Sequence, residues 1–167
     1  LLRIIDHLEN GSTTLNVQRN GWTPNYDHVD IQGSALTTAQ AHDHYIDERF
    51  YEENTEDLRA MLQLAKNRGL RAYVLSPPMH EAYLEHIDAD RYEQMVRIAS
   101  SVAREFEVPY FNDTYLDIFE EEDFYDSNHL NVEGANRWTR MIARRIEQFE
   151  STGSMTELPK TVLPEGR

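Results

Sequence analysis

Near the end of the chain, the run Phe124-Tyr125-Asp126-Ser127-Asn128-His129-Leu130-Asn131-Val132-Glu133-Gly134-Ala135 sets an acid three residues before a histidine. A histidine takes a proton from a hydroxyl nucleophile only when its ring is oriented and its second nitrogen occupied, usually by a carboxylate. An Asp three positions ahead on the same loop does both without help from a distant element. A bare D-x-x-H match is also the ordinary product of a turn-capping Asp and a surface His. The setting favours the chemical reading. Phe124, Tyr125 and Leu130 are apolar anchors for the loop, Asn131 is a good N-cap, and Gly134-Ala135 let the following helix approach other backbone closely.

The elements that must hold this pair read as alternating helices and strands. Residues 35–45 suit a helix, and 47–67 predict one with Phe50, Tyr51, Asn54, Leu58, Met61, Leu62 and Ala65 inward, ended by Gly69 at C′. Residues 70–75 form a short apolar strand halted by Ser76-Pro77-Pro78. A helix over 89–106, with Tyr92, Met95, Val96, Ile98, Ala99 and Val102 inward, leads to a second strand at 108–111. Asn131 caps a last helix to about residue 149, with Ala135, Trp138, Ile142, Ala143 and Ile146 inward. Residues 1–8 carry a helical pattern, 20–25 a loop and 26–31 a short extended piece. The fold class is α/β, with 1–149 as the domain and 150–167 as a flexible tail. Two strands do not make a free-standing doubly wound sheet, so its first strands are expected upstream and the chain to be a carboxyl-terminal portion.

Composition narrows the function. The formal charge is −14, and fourteen of the sixteen cations are Arg. That field repels phosphate backbones and anionic membrane surfaces, so neither nucleic acid nor membrane is an expected partner. No run approaches a membrane span, and no signal peptide is recognisable. There is no cysteine, hence no disulfide and no thiolate nucleophile. Of the other histidines, His42 and His44 stand two apart and diverge on a helix, while His28 with Asp27 and Asp30 reads as an acidic loop. Metal-ligand spacing is not recognisable, and no cofactor is expected.

The segment "DFYDSNHLNVEGANRWTRMIARRI" resembles the last conserved block of the SGNH (GDSL-type) hydrolases, in which an Asp-x-x-His pair precedes the carboxyl-terminal helix. Upstream, "LRAYVLSPPMHEAYLEHI" is similar to the strand and proline-rich loop of the extracytoplasmic, membrane-tethered branch of that family. The likeness spans roughly 20–149 and is strong in these two blocks. It implies a flavodoxin-like three-layer α/β/α sandwich, an extracytoplasmic location, and ester hydrolysis or acyl transfer, commonly on O-acetylated carbohydrate. Asp126 would orient and charge-stabilise His129, the general base toward a serine.

The family's Gly-Asp-Ser block is absent here, so the nucleophile is expected on an upstream segment of the same protein. Ser34, after Gly33, loosely resembles a nucleophile turn but also a common helix start. Ser76 sits at a strand's carboxyl end, where Pro77 and Pro78 forbid a sharp turn into a helix. Asn112-Asp113 has the letters of an oxyanion-hole block without its glycine and reads as a turn. Asn54 reads as a helix-surface amide or a site-facing polar group. His80, on the loop after Ser76, is a candidate for lining the substrate pocket. The alternatives are a non-catalytic carbohydrate-binding or scaffold domain of the same fold, and an acidic interaction module in which Asp126 only caps backbone.

The surplus of carboxylates with two lysines also suits a protein kept soluble in high salt, where screening weakens self-repulsion. The melting temperature should then rise between low and molar salt; a flat or falling profile contradicts salt adaptation.

Overall fold

The computed structural model describes residues 29–153 as a mixed α/β protein. The elements are α1 (Ile31–Tyr45), α2 (Tyr51–Asn67), β1 (Val74–Ser76), α3 (Glu81–Leu84), α4 (Ala89–Glu105), β2 (Tyr110–Asn112), β3 (Phe124–Asp126), β4 (His129–Leu130) and α5 (Val132–Thr152). Short 3-10 turns at Glu48–Phe50 and Glu121–Asp123 precede α2 and β3.

Capping explains most boundaries that differ from the sequence expectation. The first helix begins at Ile31 because the Asp30 carboxylate accepts the Gly33 N–H at 2.9 Å. Ile31 is therefore helical, not extended, and residues 26–28 of the expected extended piece lie outside the described residues. Asp47 caps the 3-10 turn instead of opening the long helix, accepting from Arg49 N–H at 3.0 Å. Helix α5 continues to Thr152 and closes on Gly153 at φ +67°, three residues beyond the expected end; the rest of the proposed tail lies outside the described residues.

The repeated helix–strand unit has a repeated stop. Gly69 (φ +65°) is the C′ residue of α2, with Leu70 N–H donating to Ala65 O at 2.9 Å and Gly69 N–H to Lys66 O at 3.1 Å. Glu107 (φ +57°) does the same after α4, with Val108 N–H on Ala103 O and Glu107 N–H on Arg104 O. Both are Schellman motifs, and each ends a helix a few residues ahead of a strand.

Strands β1 and β2 pair in parallel, with Val74, Leu75 and Ser76 opposite Tyr110, Phe111 and Asn112. Successive strand residues face opposite sides. Phe111 lies under the Arg145 guanidinium of α5 at 4.5 Å, and Asn112 bonds the Tyr92 hydroxyl of α4 at 3.0 Å. Helices α4 and α5 therefore cover opposite faces. Helix α2 lies beside α4, tied by Arg59 Nε donating to Glu105 at 2.8 Å. Phe111 is 1% exposed but its register partner Leu75 is 40% exposed, because the outer edge of β1 has no neighbouring strand among the described residues.

Packing along α1 is a narrow stripe. Ile31 and Ala35 meet Ala82 and Phe124, while Ala39 meets Tyr83 and Leu84. Three residues at a spacing of four thus join the β3 side of the molecule to α3. The predicted inner face of the long helix is only partly buried. Leu62 is inside, whereas Phe50, Met61 and Asn54 are exposed, so Asn54 is a helix-surface amide.

Two substitutions test these features. A Cβ at Gly134 would lie 2.1 Å from the Asp123 carbonyl oxygen, so Gly134→Ala should destabilise the chain by about 2 kcal/mol or more. Glu107→Gly relieves a left-handed non-glycine residue and should stabilise it by about 1 kcal/mol. Urea midpoints of the two variants should therefore move in opposite directions.

Candidate active site

The Asp126–His129 pair sits on a two-stranded antiparallel hairpin, with Phe124 opposite Leu130 and Asp126 opposite His129. The strands and exit of the hairpin are fixed at three places. Phe124 plugs the core between α1 and α3. The Val29 N–H donates to Tyr125 O at 3.0 Å, attaching the strand to the chain ahead of α1. At the exit, Asn131 accepts the Gly134 N–H at 3.0 Å, and its own amide donates to Glu122 O at 2.6 Å. Gly134 lets α5 lie directly on Asp123, which is why the helix starts where the hairpin ends.

Within the turn, Asp126 Oδ1 accepts from the N–H of Asn128 at 3.0 Å and of His129 at 2.8 Å. These Asx-type bonds lock the carboxylate in place. His129 Nδ1 then lies 3.0 Å from both Oδ1 and Oδ2. A carboxylate only accepts, so Nδ1 carries the proton in the neutral imidazole and Nε2 keeps the lone pair. The His129 side chain is 64% exposed and that of Asp126 22%, so the imidazole is presented to solvent while its carboxylate partner is sheltered. A carboxylate that both caps the turn and meets the imidazole differs from an acid that only caps backbone.

His80 occupies the inner side of the same hairpin. It is 7% exposed, its N–H donates to Ser127 O at 3.1 Å, and its ring meets Phe124 edge-on at 5.2 Å. Its Nδ1 accepts the Ala82 N–H at 3.1 Å as the N-cap of α3, so the neutral ring carries its proton on Nε2, opposite to His129. His80 acts on the site by holding the turn from behind.

The other candidates stay apart from the pair. The Ser34 hydroxyl donates to Asp30 O at 2.6 Å, within the first helical turn. The Ser76 hydroxyl is 2.8 Å from the Tyr110 hydroxyl. Asn112 accepts the Thr114 N–H at 3.2 Å, which makes it the turn residue its context suggests. Ser127 is fully buried, with its hydroxyl unpartnered. Among the described residues, no hydroxyl is hydrogen-bonded to His129.

Sequence reasoning missed the group that stations α5. Asp113, 2% exposed, accepts Trp138 Nε1–H on Oδ2 at 2.9 Å and Arg145 on Oδ1 at 2.6 Å. The spacing of seven between Trp138 and Arg145, which places them on one helix face, is the signal that reveals it. A second feature is a cleft of about 240 Å³ between α1, α3 and α4, lined among others by Ala39, Met79, Tyr83, Ile87, Arg91 and Met95 and by no residue of β3 or β4.

No protein-family model, curated protein or solved structure matches the chain.

Proposed function

We propose that this chain carries the acid and the base of a serine esterase or O-acyltransferase of the SGNH type, acting on an ester such as an O-acetylated carbohydrate. The observation that carries this reading is His129 Nδ1 held at 3.0 Å by both oxygens of a carboxylate that the turn itself immobilises. His129 Nε2 takes the proton of a serine hydroxyl as its oxygen attacks the ester carbonyl. The resulting imidazolium, stabilised by Asp126, returns the proton to the departing alcohol. Water then releases the acyl group in hydrolysis, or a second alcohol takes it in transfer.

The finer fold assignment belongs to the same proposal: a flavodoxin-like α/β/α sandwich of which β1 and β2 are two strands. A parallel pair with helices on both faces supports it, since such sheets extend by further parallel strands. Helices α2 and α4 lie side by side. Successive right-handed crossovers on one face advance in one direction, so a strand preceding α2 in the sheet would lie along the free edge of β1. The serine comes from that upstream part of the protein. The runner-up, a binding or scaffold domain without a nucleophile, is favoured only by the absence of a hydroxyl partner for His129 among the described residues.

Hydrolysis of an aryl acetate separates the two. The 167-residue chain alone should show only background turnover, and a polypeptide extended upstream of Leu1 should be active. His129→Ala should lower kcat/KM of the extended protein by at least about 10³-fold, and Asp126→Asn by about 10³–10⁴-fold. Activity that survives His129→Ala contradicts the proposed base. An inactive extended protein favours the scaffold reading.

A further inference from the structure

The cleft between α1, α3 and α4 is separate from the hairpin and has its own chemistry. Its walls are Ala39, Met79 and Ile87 together with the rings of Tyr51, Tyr83 and Tyr92. At its mouth stand Ile46, 43% exposed, and Met95, 49% exposed. Large apolar side chains that converge on a concave site expose area whose burial is favourable by about 25 cal/mol per Å². A volume of about 240 Å³ suits one ring or a short alkyl group with a small head.

The rim selects the sign of that head. Arg91 is already engaged: its Nη1 pairs with Asp43, and its Nε lies 3.7 Å from both Glu48 and Asp88. Three carboxylates share one guanidinium, and two of them, Asp43 and Asp88, line the cleft with Arg91, an excess of one negative charge there that Glu48 behind Arg91 reinforces. An anionic ligand would have to break the Asp43 pair to reach Arg91 and would meet Asp88 as well. A cation meets carboxylates with unspent acceptor capacity, beside tyrosine rings that attract it through their faces. Tyr83 keeps its neutral ring there: its hydroxyl lies 2.9 Å from His42 Nδ1, and burial pushes its ionisation upward. The charge of −14 on the whole chain adds a long-range bias in the same direction.

We infer that this cleft is a binding site for a small organic cation, an aryl- or alkylammonium whose apolar body lies on Met79, Ile87 and Met95 and whose head meets Asp43 and Asp88. Asp126 and His129 are not part of it, so the site stands or falls independently of the esterase reading.

Methyl NMR of the methionines during titration with benzyltrimethylammonium tests the inference on the intact chain. The ε-methyl signals of Met79 and Met95 should move saturably while those of Met61 and Met141 stay. Phenylacetate and benzyl alcohol should bind about tenfold more weakly or worse. Met95→Arg, at the exposed mouth, should weaken the cation by about tenfold or more, and Asp43→Asn by about threefold. If Met95→Arg lowers the thermal midpoint, Ile46→Arg at the opposite lip gives the same reading. Equal binding of phenylacetate, shifts that include Met61, or no saturation by about 10 mM overturns the proposal.

Discussion

The placement of the last helix rests on one buried carboxylate. Both oxygens of Asp113 are taken by side chains two turns apart on α5, the Trp138 indole N–H and the Arg145 guanidinium. A buried carboxylate is stable as an ion only when so partnered, and loss of either partner leaves a charge without solvent. Arg145 in turn sits over the Phe111 ring, so the end of strand β2 and helix α5 are joined by an ion pair and a cation–π contact side by side. This fixes the rotation of α5 about its axis. With the rotation set, Gly134 faces Asp123, Asn131 closes the helix start, and the hairpin before it has one position to occupy.

The chain puts the same residue types to opposite uses. Asp113 is sealed in the core and holds two elements together, whereas Asp126 is sheltered only enough to be fixed by backbone N–H groups, and its imidazole partner remains in water. His80 and His129 show a parallel contrast. In each the Nδ1 is committed, but one accepts from a backbone N–H and the other donates to a carboxylate, so their free nitrogens have opposite character. The loop between β1 and α3 connects the two regions of interest: Met79 lines the cleft, and the adjacent His80 holds the hairpin.

Local chemistry was legible in the sequence where one residue determines one geometry. Gly69 as a C′ residue, Asn131 as an N-cap and the close approach at Gly134 follow from side-chain type and position, whereas the Asp126–His129 pairing also needs the apolar anchors and the helix start around it to be read. Long-range compensation was not. Arg145 reads as a surface cation until Asp113 is placed opposite it, and Ala143, counted inward by periodicity, is exposed while Arg145 takes the inner position. Met61 and Leu64 are apolar at helical spacing yet lie on an outer face of α2, because periodicity identifies an apolar stripe but not whether anything covers it. The two parallel strands run over 74–76 and 110–112 where 70–75 and 108–111 were expected, because only those residues meet ladder partners across the pair, and apolar composition does not say which residues will.

Asp126 holds His129 with its proton on Nδ1 and a free lone pair on Nε2. Long-range ¹⁵N–¹H correlation of the histidine rings, recorded with the imidazoles neutral, measures this directly. His129 should show an Nδ1–H tautomer, lost in Asp126→Ala, alongside an Nε2–H tautomer for His80. An Nε2–H tautomer at His129, or one unchanged by Asp126→Ala, contradicts this arrangement.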